Sequence, residues 1–229
     1  MEAAKRIKIF TDKYPLIGPT FWVISIQLFV IQYIVAHGWP VSYSITNNTI
    51  SDLGNTVCGI YSDRYVCSPY FTWMNTSFVV LGATMIAGST LIYQEFRENL
   101  ASKIGFTLMA LAGFGTILVG AFPENTIGFF HYAGALMPFL LGNIALLIFG
   151  FSLGLGFKFK IYTILSGVVA LLALILFVTN NYLGLGIGGM ERLVAHPQTI
   201  WLIVFGIYMS KDRFVKVAHK VKDSLTRAR

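Results

Sequence analysis

Six long apolar runs dominate this chain, at about 16–36, 71–93, 104–121, 131–153, 159–179 and 190–209. A helix rises ~1.5 Å per residue, so ~20 such residues cross a hydrocarbon core of ~30 Å. None of the six carries a charge in its middle third. The composition agrees: 12% of the 229 residues are charged and 55% are hydrophobic, whereas a soluble domain carries about 25% charged residues. A soluble globular enzyme, a disordered chain and a disulfide-stapled mini-protein are all excluded. The expectation is an all-α integral membrane bundle of six transmembrane helices, forming one domain over 1–229, because the short connections leave no room for a second.

Charge fixes the expected orientation. Of the 17 Lys and Arg residues, all but Arg64 and Arg192 fall on the side of the two termini. The positive-inside rule then places both termini in the cytoplasm of a cell-membrane protein. Lys5, Arg6, Lys8 and Lys13 precede the first run, which is too long for a signal peptide and lacks a small-residue cleavage site, so it is expected to be retained. In the basic tail over 211–229, Phe214, Val217, Val221 and Leu225 recur at helical spacing between Lys216, Lys220 and Lys222. Such a segment fits either an interfacial helix on anionic lipid or a solvated tail. The net charge of +7 is thus explained by topology, and no nucleic-acid partner is expected.

The outward connections hold the chemistry. The longest, from His37 to Tyr70, contains Ser51-Asp52-Leu53-Gly54 and both cysteines, Cys58 and Cys67. Their separation and their oxidising side point to a disulfide that rigidifies the loop over the bundle mouth. Asp52, Asn75, Glu124, His131, Glu191, Arg192 and His196 gather at the outer ends of the spans. Ionisable groups at such depth are expensive and face the bundle interior or a wet cavity. Arg192 and His196, four apart, share a helix face from which Glu191 is rotated away.

Three readings of this set stay open. Asp52, His131 and His196 offer donors for a divalent metal, with Glu124 or Glu191 as further ligands, although no HExxH or paired-histidine spacing supports it. A metal-free pocket could instead take a lipid head group, with Arg192 forking onto an anionic group and Asp52 and His131 moving protons. The plainest reading is structural: Asp52 caps a turn, Arg192 pairs with a carboxylate and the histidines satisfy backbone groups. Two glycine patterns are set aside. Gly184, Gly186 and Gly189 match a dinucleotide fingerprint without the strand it needs, and read as a flexible turn. Gly150 and Gly154 form a small-residue pair that reads as close helix packing.

Ser51-Asp52-Leu53-Gly54, Cys67-Ser68-Pro69, Asn75-Thr76-Ser77-Phe78, Phe122-Pro123-Glu124 and His131-Tyr132-Ala133-Gly134-Ala135 follow one another in this order. Together they resemble the six-helix membrane family catalogued as domain of unknown function 998, over almost the whole chain. The resemblance implies a six-helix bundle and supplies no reaction. A more distant likeness to six-helix proteins of lipid remodelling and lysosomal membranes implies a lipid role. Alkaline ceramidases also set outer-half histidines beside aspartate and serine, but this chain is one helix short of them and lacks their histidine spacing.

The leading expectation is therefore a polytopic protein whose outward pocket binds, and could act on, a lipid head group. In a catalytic version His131 is general base and Asp52 orients it, with Asn75, Glu124, Glu191, Arg192 and His196 holding the ligand. The competitor is a non-catalytic accessory or assembly subunit, packed against other membrane subunits or further copies of itself. A transporter or scramblase comes third, with only Gln27, Gln32 and Asn143 to continue a polar path. The sequence names no cofactor.

Overall fold

A computed structural model describes residues 2–96 and 98–227, with side chains over 5–96 and 98–211. It is three-quarters helical. A first helix, α1 (Glu2–Lys13), lies ahead of the spans. The six helices long and apolar enough to cross a membrane are α2 (Ile17–His37), α3 (Phe71–Glu95), α4 (Leu100–Ala121), α5 (Gly128–Ser152), α6 (Phe157–Val178) and α7, whose span covers Gly186–Lys211. These are the six expected spans, with ends displaced by a few residues. α7 itself continues as helix to Arg227. The expected apolar stripe of the tail, Phe214, Val217, Val221 and Leu225, involves side chains outside the described ones.

Each span packs on its neighbours in the chain, and α7 returns against α2, so the six close into a ring. Up-and-down threading puts both termini on one face, here the terminal face, and the 38–70, 122–127 and 179–185 connections on the other, the loop face. The two halves of the bundle are built differently. Toward the terminal face the core is aromatic: Trp201 stacks on Phe149 at 5.3 Å and on Phe205 at 4.7 Å, and Trp22 packs among them. Both indole N–H groups of this aromatic core are satisfied, Trp22 by the Met85 carbonyl and Trp201 by Thr163 Oγ1 at 2.8 Å, the usual state of buried tryptophan.

Toward the loop face, α5 departs from α-helical geometry. Met137–Gly142 is a π-helical segment beginning beside Pro138. Proline has no N–H to give the preceding turn and its ring crowds it, and the extra residue accommodates this; such π-bulges recur at functional sites. The loop over this half is pinned by the Cys58–Cys67 disulfide. The bond brackets a two-stranded antiparallel hairpin, β1 (Gly59–Tyr61) and β2 (Arg64–Val66), with Ile60 opposite Tyr65.

Two glycine readings are revised. Gly184 and Gly186 do adopt left-handed φ of +82° and +69°. The segment is nonetheless a packing surface: a side chain on Gly186 would meet the Thr46 carbonyl, and one on Gly188 those of Ile45 and Asn48. Gly150 packs against Ile164 of α6 as expected, whereas Gly154 has φ +63° and nothing near it, so it turns the chain and does not pack.

Candidate functional site

The site is organised by a reciprocal turn. Asp52 Oδ2 accepts from the Thr49 N–H at 3.0 Å, and the Asp52 N–H returns to Thr49 Oγ1 at 3.0 Å, the three-residue exchange of a capping box. Asn48 Nδ2 adds a second donor to Asp52 Oδ2 at 3.1 Å. The structural expectation that Asp52 caps a turn is thus met, but the carboxylate does more. Arg64, delivered by β2, forks onto it with Nε to Oδ2 at 2.7 Å and Nη2 to Oδ1 at 2.8 Å. Asp52 is fully buried and the Arg64 side chain is 12% exposed. A buried ion pair persists only when its remaining hydrogen-bonding capacity is filled, and here Asn48 and Thr49 fill it.

Glu124 stands beside this pair. Burial raises its carboxyl first, and the hydrogen bond to Asp52 and that group's negative charge raise it further, to about 9. Glu124 is therefore a neutral acid at pH 7 and donates to Asp52. Burial would also lift Asp52, but hydrogen bonds from Arg64, Glu124 and Asn48, with the Arg64 charge, outweigh it and hold that carboxyl below the usual range. Two carboxyl groups in contact cannot both ionise cheaply; here they share one proton under one guanidinium. The 122–127 connection is tied to the long loop by Tyr61 Oη donating to the Glu124 carbonyl at 3.0 Å and by an Asn125–Thr56 exchange.

A second chain of contacts starts at His131, which is 2% exposed. Its Nδ1–H donates to the Phe122 carbonyl at 2.9 Å, which leaves Nε2 facing Ser51 Oγ at 3.1 Å. Ser51 Oγ also lies 3.1 Å from Glu191 Oε1, and Glu191 Oε2 accepts from the Ile50 N–H. Ser51 is thus held between an imidazole and a carboxyl. Glu191 and Ser51 line a cavity of about 60 Å³ in the bundle, walled chiefly by apolar side chains of α2, α3 and α5.

Arg192 and His196 point the other way, as their shared face requires. They line a cleft of about 810 Å³ between α2, the 39–45 segment and α7. Arg192 Nη1 reaches the carbonyls of Gly188, Asn48 and Ile45 at 2.8, 2.9 and 3.1 Å, and Nη2 donates to the Tyr43 hydroxyl. Its partners within the protein are backbone carbonyls and a phenol, where a carboxylate was expected. His196 packs edge-on against Phe29 at 4.9 Å, and its Nε2 is buried without a partner. So are Gln32 Nε2 and Trp39 Nε1 on the same cleft.

The expected residues therefore divide into three places. Asp52, Glu124, His131 and Glu191 lie under the loop; Arg192 and His196 line the cleft; and Asn75 supports the loop from α3, donating to the Gly54 carbonyl at 2.8 Å. Asp52, His131 and His196 do not converge, and among the described residues no group of three or more His, Cys, Asp or Glu side chains is arranged to hold a metal ion. Ser51, Arg64 and Tyr43 belong to the site without having been singled out. The neighbour of a motif acid and a lone arginine in a cysteine-bracketed hairpin were the available signals. A search of known families matches residues 23–208 to the one described as "Protein of unknown function (DUF998)". No curated protein and no solved structure matches the chain. The matched stretch contains every residue of the site, and the chain belongs to this family.

Proposed function

We propose that this multi-pass membrane protein of the DUF998 family binds a membrane lipid by its head group, in the cleft between α2 and α7, with the loop face outward. The observation that carries the reading is the unsatisfied wall of that cleft. Gln32 and Trp39 are more than nine-tenths buried, at 8% exposure each, and with His196 they bring three partnerless nitrogens to one surface. Buried polar groups are nearly always paired, so each exception asks for a partner from outside the chain. Two of the three are obligate donors, and Arg192 adds positive charge, so the complementary group carries acceptor oxygens: an ester or a phosphate. Tyr33, 65% exposed on the same wall, offers an amphipathic ring of the kind found at head-group level. The distribution of Lys and Arg supports the outward orientation.

Native mass spectrometry of the protein extracted gently from its own membrane tests this. One phospholipid is expected on the wild type and a large loss of it in the Gln32→Leu/Trp39→Phe double variant. Equal retention by both, or stoichiometric protein partners with no lipid, would make the accessory-subunit reading the better one.

A further inference from the structure

The His131–Ser51–Glu191 chain lies on the opposite side of α7 from the cleft, and the cavity beside it shares no lining residue with that cleft. Its hydrogen-bond arithmetic is informative. Phe122 offers only a carbonyl, so His131 Nδ1 carries a proton and, in the neutral ring, Nε2 carries a lone pair aimed at Ser51 Oγ. The Ser51 hydroxyl has one proton and two neighbours that could accept it, Nε2 and Glu191 Oε1, each at 3.1 Å. The chain is satisfied when Glu191 is protonated and donates to Ser51 while Ser51 donates to His131, or when that proton has crossed to make an imidazolium and a carboxylate. In both states one proton serves the pair, and in the first the serine O–H is directed at a base.

That arrangement meets the requirements of an activated nucleophile: hydroxyl and base within hydrogen-bond reach, and the base oriented by a third group. It also has a place for a substrate. Ser51 and Glu191 edge the 60 Å³ cavity, whose other walls include Leu28, Phe78, Leu81 and Val119. Space of this size admits about four waters or a short alkyl group. Gln198 lines it too, with its amide nitrogen directed at the Met85 sulfur at 3.9 Å.

We propose that Ser51 is a nucleophile with His131 as its base, acting on short-chain carboxylic esters whose acyl group enters this cavity. Ser51 Oγ bonds to the ester carbonyl carbon as its proton passes to His131 Nε2. The tetrahedral adduct then expels the alkoxide, which takes that proton and leaves as the alcohol. Solvent water, deprotonated by His131, attacks the acyl-serine, and the acid departs as Ser51 recovers its proton. His131 is neutral before and after each half-reaction.

A small alkyl fluorophosphonate tests the nucleophile directly, because the Oγ–P bond forms as P–F breaks and fluoride leaves. On the full-length protein in mild detergent, intact-mass measurement is expected to show one adduct, peptide mapping to place it on Ser51, and Ser51→Ala to abolish it. His131→Gln is expected to slow labelling by about 100-fold or more, in line with loss of a general base. No adduct on monodisperse wild-type protein, an adduct on another residue, or an unchanged rate in a folded His131→Gln protein would each overturn the assignment. Should His131→Gln fail to fold, the wild-type and Ser51→Ala pair decides alone. The lipid-retention measurement on the cleft is unaffected by either result.

Discussion

Two polar regions lie side by side on the loop face, and they pair their buried groups to different extents. Under the hairpin, Asp52 accepts from Asn48, Thr49 and both arms of Arg64, and the neighbouring Glu124 donates to it, so that the ion pair is filled although Glu124 Oε1 has no partner. In the cleft, on the other side of the 38–54 segment, nitrogens of Gln32, Trp39 and His196 are buried with no partner. A satisfied network locks a conformation, while an unsatisfied one in a hollow is poised for something to arrive. The first region builds the mouth of the bundle, and the second leaves a place in it.

The comparison breaks most visibly if the network is not what holds the loop. Arg64→Met removes one member of a buried ion pair and strands Asp52, which costs about 3–5 kcal/mol in such pairs. Thermal unfolding in detergent is expected to show this as the largest single-residue loss, with loop-face residues 44–68 losing hydrogen-exchange protection first. A loss under about 1 kcal/mol would mean that Asp52 is held by its turn alone. Next comes the disulfide that carries Arg64 to its partner. Cys58 and Cys67 close a loop of nine residues' separation, for which the chain-entropy relation gives about 2–3 kcal/mol. The Cys58→Ser/Cys67→Ser double variant is expected to lose that much, and to lose less when Arg64→Met is already present, since both act through one anchor.

Much of this was legible beforehand and some of it could not be. The six spans follow from hydropathy alone, because a bilayer demands long apolar helices whatever the tertiary packing. The division of Glu191 from Arg192 and His196 follows from helical rotation, and the structure assigns them to the cavity and the cleft accordingly. Arg64 is different. As one arginine in a loop it counts only toward topology, and its tie to Asp52 depends on a hairpin whose register the sequence does not fix. Ser51 is hidden for a similar reason, since a hydroxyl beside a motif acid shows its role only when α5 and α7 bring His131 and Glu191 to it. Arg192 was legible as a group at the bundle mouth but not in its use. A guanidinium that fits a phosphate fits clustered loop carbonyls equally well, and Gly188 lets the 45–48 segment come close enough to supply them.

The shared proton gives the comparison a pH axis. Glu124 titrates near 4.5 when unfolded and near 9 in the folded protein. A raised folded-state value means that its contribution is fully present below about pH 4.5 and is lost as pH climbs toward about 9. Wild-type stability is therefore expected to fall across that window, by up to ~1.4 kcal/mol per pH unit from this carboxyl. Glu124→Gln, which keeps a donor toward Asp52 but cannot ionise, is expected to flatten the profile. Asp52, held low, loses its contribution only on the acid side of its unfolded value of 3.8, outside the window. Parallel profiles for the two proteins would show that the proton is not on Glu124.

The smallest expected change is the sharpest for the cleft. Trp39→Phe deletes an N–H that has no partner while keeping the ring stacked edge-on against Tyr43 at 4.9 Å. Removing a satisfied donor commonly costs about 1 kcal/mol, whereas removing one that is already orphaned costs nothing and can relieve its desolvation penalty. The unfolding temperature of delipidated protein is therefore expected to stay the same or to rise slightly. With phospholipid added, the wild type is expected to gain more than the variant, because a ligand bound only by the folded state stabilises it in proportion to its affinity. If Trp39→Phe instead destabilises the lipid-free protein by 1 kcal/mol or more, the indole N–H has a structural partner, and the contrast between a closed network and an open one disappears at that residue.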